Sequence, residues 1–214
     1  MRFFFPFAVC RLPFHECKCY DIHKLRTSSA ESKGFRKIVL IGHSAGAAAV
    51  REYQSEKQDN RVSGFVLASG SVDPSPPIDS SQYVQALPLM AENKGEELIK
   101  DAKRSFPSYI SAATFMDIAN SPSEYKDFCG VRTPYAGITK IQCPILAFYR
   151  TNDDIGNEKT LELLKASIQK QPKGTVTVST TMIKGAEHMY MSKEIQVAEV
   201  IIKWMDDISK KGNQ

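Results

Sequence analysis

The sequence predicts an α/β fold, a mostly parallel sheet with helices on both faces. Three observations carry that expectation. The run Ile38, Val39, Leu40, Ile41 is apolar at every position rather than alternating, as in a strand covered on both faces. Short apolar or β-branched runs return near residues 61–70, 144–149 and 175–183. Segments with helical spacing separate them, and strands alternating with helices indicate a parallel sheet. At 214 residues, 42% hydrophobic and 24% charged, the chain suits one domain with a substantial core.

In chain order, residues 1–20 read as an irregular N-terminal segment and residues 21–214 as the folded domain. After Ile38–Ile41, the residues Ala47 to Val50, Arg51 and Glu52 form the first turns of a helix. "RVSGFVLASG", Arg61 to Gly70, is a second buried strand. "SVDPSPPIDSS" is loop by its proline and serine content. Residues 81–130 are expected to be mainly helical, with Tyr109, Ala112, Ala113 and Met116 at helical spacing. "SPSE" at 121–124 reads as a capping box, with Ser121 as N-cap, Pro122 at N1 and Glu124 at N3. Gly130 can close that short helix. A third strand spans Pro144 to Tyr149, and a helix follows with Leu161, Leu164 and Ile168 on one face, stopped by Pro172. "TVTVSTTMI" at 175–183 is the last strand. The last helix carries Val197, Val200, Ile201, Trp204, Met205 and Ile208 as one stripe, which is core packing.

Composition narrows the function. A net charge of +4 with no dense basic run argues against a nucleic-acid partner. No stretch approaches the roughly 20 apolar residues that span a bilayer. "MRFFFPFAVC" superficially resembles a signal peptide, but Pro6 interrupts it and no small-residue cleavage site follows. A cytoplasmic location is therefore expected, with secretion as the alternative. Cys10, His15, Cys17, Cys19 and His23 crowd the N-terminus without any C-x-x-C spacing, so no metal site is expected there. Cys129 and Cys143 read as ordinary core or loop thiols.

The chemistry concentrates at Gly42-His43-Ser44-Ala45-Gly46, which matches G-x-S-x-G between a strand and a helix. Such a turn holds its serine in a strained backbone conformation with the hydroxyl exposed above the sheet. A side chain at either glycine is expected to collide with a neighbouring element. The helix start aims N–H groups, that of Ala45 first, at an oxyanion above the serine. The plainer alternative is a glycine-bounded turn that only reverses the chain.

A serine hydroxyl needs a base to take its proton, and the base needs an orienting acid. Of the four histidines, His43 lies beside Ser44 in sequence and is expected to point elsewhere. His15 and His23 precede the motif in an irregular segment. His188, in "KGAEHMY", follows the last strand at its C-terminal end, the edge where parallel sheets hold their sites. Asp153 or Asp154, after the third strand, completes the order Ser, Asp, His; Asp73, after the second strand, is a positional competitor. The ranking is Asp153, then Asp154, then Asp73.

At this point the chain resembles the α/β-hydrolase superfamily, through "IVLIGHSAG", "PILAFYRTNDD" and "GAEHMYMSKEIQVAEVIIKW", over residues 21–208. The resemblance implies that the acid lies three residues beyond the position of Arg150, which supports Asp153. It implies an acyl-serine route to cleaving a carboxylic ester, thioester or amide of a small molecule, with no metal or organic cofactor. It also implies a helical cap at about residues 74–140, with "LPLMAENKG" as an apolar roof. The stretch "AENKGEELIKDAKRSF" is similar to a hydrolase group that includes siderophore-ester hydrolases. Asp21 to Lys33 fits the helix that precedes the elbow strand.

The departure lies upstream. The family places roughly four strands before the elbow, and at about five or six residues each they do not fit ahead of Lys37. The domain therefore reads as N-terminally truncated. The second oxyanion donor comes from that region, which leaves the Ala45 N–H as the one assignable here. Loss of such a donor costs on the order of 100- to 1000-fold. The alternative function is thus a catalytically impaired hydrolase-like binding or interaction protein, or a truncated form of a hydrolase. A bared sheet edge at Ile38–Ile41 would favour self-association.

Overall fold

The computed structural model describes residues 27–35, 37–70, 80–101, 108–120, 127, 130, 136–151, 155–170 and 176–211. Four parallel strands form the sheet: β1 (Ile38–His43), β2 (Val62–Ala68), β5 (Ile145–Arg150) and β6 (Val178–Ile183), in the order β1-β2-β5-β6. In register, His43 lies beside Ala68, Ala68 beside Phe148, and Arg150 beside Ile183. The carboxyl ends of all four strands therefore face the same way, and the loops leaving them share one edge.

The unbroken apolar runs have a direct cause. Along β2, Phe65 and Leu67 join one core cluster while Val66 and Ala68 join another. Along β5, Ile145, Ala147 and Tyr149 alternate in the same way with Leu146 and Phe148. The first cluster is closed by Ala47, Val50 and Tyr53 of α2 (Ala45–Lys57) and by Leu161, Leu164 and Ile168 of α5 (Glu158–Gln169). The second is closed by Ile201 and Trp204 of α6 (Glu194–Lys211), with Val197, Val200, Met205 and Ile208 against it. Both faces are buried, so neither can be polar.

The strands and the two later helices fall where the sequence placed them, give or take their ends. Asn157 caps α5 through a reciprocal bond pair with Thr160. A helical stretch over residues 27–32, α1, precedes β1 as expected. Arg61 ties it to the start of β2, donating to Thr27 Oγ1 and Ser28 Oγ, each at 3.0 Å, and pairing with Glu31.

The segment between β2 and β5 corrects one expectation. Among the described residues of 81–130, two strands interrupt the helices, and Tyr109, expected at helical spacing, lies in one of them. After α3 (Ser80–Ala91) comes an antiparallel hairpin, β3 (Leu98–Asp101) and β4 (Ser108–Ser111), and only then α4 (Ala112–Asn120). Ile99 pairs with Ile110 across the hairpin, where β-branched side chains pack well. Tyr109 sits in β4, 59% exposed, so the helical spacing is real only from Ala112 onward. Ser111 starts α4 by accepting from the Thr114 N–H at 3.2 Å. Ala86, Ile99, Ala112, Phe115 and Ala119 give this insertion a small core of its own, with Tyr83 edge-on to Phe115.

The N-terminal segment 1–20, its cysteines and histidines, the "SPSE" box and Pro172 lie outside the described residues. Gly130 is described and has a φ of +68°.

Candidate active site

β1 ends at His43, and the chain turns into α2 within one residue. That residue is Ser44, with φ 54° and ψ −123°. A non-glycine residue in the left-handed half of the map is uncommon, and strain of this kind persists only where the surroundings fix it. The fixing groups are visible. Ser44 N–H bonds the Ala68 carbonyl at 2.9 Å, carrying the β1–β2 ladder into the turn. A Cβ on Gly42 would stand 2.5 Å from the Gly46 carbonyl oxygen and 2.6 Å from Ala47 Cα, so only glycine lets the helix fold back this closely. Gly46 departs from expectation. A Cβ there would meet nothing within 4 Å among the described residues.

Serine at a helix start ordinarily turns its oxygen onto the first free N–H groups. Ser44 makes no such cap bond. Its Oγ instead lies 2.9 Å from Nε2 of His188, 144 residues away in sequence. Ala45, the first residue of α2, follows Ser44 directly.

His188 sits in the loop between β6 and α6, which is anchored at several points. Gly185, at φ +65°, donates its N–H to Thr151 Oγ1 at 3.0 Å, tying the loop start to the end of β5. His43 Nε2 lies 2.7 Å from the His188 carbonyl oxygen. Tyr190, 7% exposed, pairs its hydroxyl with Ser69 Oγ at 2.7 Å and sets its ring edge against Phe148. Ser69 follows β2 directly and also has a positive φ, 44°. Tyr149 OH donates to the Gly70 carbonyl in the same loop cluster.

Of the residues singled out in the sequence, the structure thus brings Ser44 and His188 within hydrogen-bond distance and places Ala45 at the adjoining helix start. Asp153, Asp154 and Asp73 lie outside the described residues, in segments that follow the ends of β5 and β2. His43 had been expected to point elsewhere; it turns from the serine but reaches the main chain of His188. Tyr190 and Ser69 had no sequence signal, since a tyrosine–serine contact 121 residues apart leaves no local pattern.

Among the described residues, no group of three His, Cys, Asp or Glu side chains could hold a metal ion. Burial pushes the Cys143 thiol up to about 11, which keeps it protonated and unreactive at neutral pH. Among them too, no helix is long and apolar enough to cross a membrane.

The model of the alpha/beta hydrolase family matches residues 14–200 of the chain. The protein belongs to that family. Among solved structures, a soluble variant of the monoglyceride lipase of Saccharomyces cerevisiae, in complex with a substrate analogue, superposes with a TM-score of 0.65 at 16% identity, over 93% of this chain and 71% of that one. A thermostable carboxyl esterase from Bacillus coagulans, in complex with glycerol, gives 0.62 at 17% identity, over 90% and 71%. The monoacylglycerol lipase of Paleococcus ferrophilus gives 0.56 at 19% identity, over 89% and 76%. At these identities the likeness is one of fold. No curated protein sequence matches the chain.

Proposed function

We propose that this protein is a serine hydrolase that cleaves a carboxylic ester, or a related acyl bond, of a small molecule. The observation that carries the reading is the bond of 2.9 Å between Ser44 Oγ and His188 Nε2, made by a serine held at φ 54°. In this reading His188 removes the hydroxyl proton as Ser44 attacks the acyl carbon. The Ala45 N–H stabilises the oxygen that becomes negative. His188 then returns the proton to the leaving alkoxide, and the acyl–oxygen bond breaks. Water, deprotonated by the same imidazole, releases the acid and restores the serine. The orienting acid is Asp153, with Asp154 and then Asp73 as the alternatives.

The insertion from α3 to α4 serves as the cap, and it carries exposed apolar residues, among them Val84, Leu87 and Leu98. The solved neighbours named above, two lipases of monoglycerides and a carboxyl esterase, make an acyl ester the class of substrate to try first. A cytoplasmic location belongs to the same proposal.

A fluorophosphonate probe tests it. Covalent labelling of Ser44, absent from Ser44→Ala, is the expected result. An unlabelled wild type would leave the hydrolase-like binding protein as the better reading.

A further inference from the structure

His43 is built into the elbow but does not address Ser44. It addresses the main chain of the residue that does. Its Nε2 lies 2.7 Å from the His188 carbonyl oxygen, and the two imidazole rings lie 5.0 Å apart between centroids, tilted by 42°. A carbonyl oxygen only accepts, so His43 carries a proton on Nε2 and donates it there. The loop is fixed again two residues on. Tyr190 stands at φ 55°, a position that a bulky residue adopts only under constraint. Its ring is wedged edge-on between His43, at 5.7 Å, and Phe148, at 5.6 Å.

We propose that His43 is a positioning residue for His188: its Nε2–H, backed by the Tyr190 ring, holds the His188 main chain where the imidazole meets Ser44 Oγ. The inference rests on the reading of Ser44 and His188 as nucleophile and base. It has a geometric logic. Ser44 and His43 are adjacent in β1 and its turn, so one short segment presents the nucleophile and grips the loop that carries the base. Displacement of the imidazole by about 1 Å would cost on the order of 100-fold in rate. His43 itself exchanges no proton with substrate and touches no reacting atom.

Three forms of the full chain decide it: wild type, His43→Phe and His43→Gln. Phenylalanine keeps a ring of similar size but has no donor; glutamine offers an amide N–H at a similar reach. Each is followed by the rate of Ser44 labelling with a fluorophosphonate and by kcat and KM on p-nitrophenyl acetate, with a thermal melt alongside. The expected result is that His43→Phe lowers kcat and the labelling rate about 30- to 100-fold with KM within about twofold, and that His43→Gln recovers a tenth or more of wild type. Labelling of folded His43→Phe at the wild-type rate would overturn the proposal. So would His43→Gln as impaired as His43→Phe, because the donor would then not be what matters. If His43→Phe does not fold, His43→Leu takes its place as the form without a donor, with the same expected loss and the same overturning result. A wild type that the probe does not label overturns the Ser44 reading itself; a labelled wild type with indifferent variants overturns only the role of His43.

Discussion

Gly42 stands so close to Val50 that a Cβ on the glycine would lie 2.5 Å from Val50 Cγ2. The contact crosses the elbow, from the end of β1 to the second turn of α2, and it sets how tightly the chain reverses at Ser44. Two backbone atoms, the Gly46 carbonyl oxygen and Ala47 Cα, are as near. A flexible side chain could move away; a helix backbone cannot without shifting the turn.

Gly42→Ala is therefore expected to destabilise the protein by about 3 kcal/mol or more, the upper range for an overpacked site. For a chain of this size that is roughly 6–12 °C in Tm. It should also slow Ser44 labelling, because the displaced turn moves the nucleophile. Gly46→Ala should do the opposite to stability. With nothing within 4 Å among the described residues and a helical backbone, alanine gains up to about 1 kcal/mol over glycine. Thermal melts of both variants check this. Equal melting temperatures would mean that the elbow is not packed as described.

The sequence made β1, β2, β5, β6 and the two long C-terminal helices legible because their signals are local. Both faces of β2 are buried, so its run is continuous; one face of α6 is buried, so its stripe repeats every turn. The elbow was legible for the same reason: Gly42 and Ser44 are two residues apart. What could not be read is long-range. His43 meets His188 across 145 residues, and its role depends on which way a ring turns at the end of a strand. The hairpin of β3 and β4 was missed because Ala112, Ala113 and Met116 continue a helical rhythm that Tyr109 only seems to begin. Cross-strand partners such as Ile99 and Ile110 decide that segment, and spacing along one strand does not reveal them.

The acid is the part of the constellation that substitutions must find. Asp153→Asn should lower kcat by as much as about 10⁴-fold, the loss seen when the corresponding aspartate of a well-studied Ser-His-Asp enzyme becomes asparagine. Asparagine cannot stabilise the imidazolium and can hold the imidazole in the wrong tautomer. Asp154→Asn should cost less than about tenfold by comparison. Steady-state rates on p-nitrophenyl esters distinguish them. The reverse ranking would move the acid to Asp154, and silence at both would move it to Asp73.

Among the described residues, β1 has a sheet neighbour on one side only, β2. Where no other segment pairs with its second side, an apolar strand such as Ile38 to Ile41 invites a second strand. Self-association that grows with concentration is expected, and multi-angle light scattering reads it directly. A monomer at all concentrations would show that another part of the chain covers that side.

Away from the chemistry, Asp59 supports the arginine that ties α1 to β2. Asp59 accepts from Arg61 Nε at 2.8 Å, Arg61 Nη2 at 2.6 Å, Tyr53 OH at 2.6 Å and the Arg61 N–H at 3.1 Å. The Arg61 guanidinium, then the Tyr53 hydroxyl, hold its carboxyl well below the usual carboxylate range despite burial, which acts the other way. A folded-state pKa below the unfolded value gives stability that is present above the unfolded value, here 3.8, and lost as pH falls through the folded one. At pH 7 Asp59→Asn should thus cost about 2 kcal/mol, the worth of hydrogen bonds to a charged, part-buried group. Between pH 7 and pH 3 the gap between wild type and variant should narrow by roughly 1 kcal/mol, since the unfolded carboxyl takes up a proton there while the folded one does not. Urea midpoints at the two pH values measure this. A gap that stays constant would mean that Asp59 titrates alike in both states, and that Arg61 holds α1 through Thr27, Ser28 and Glu31 without help from the carboxylate.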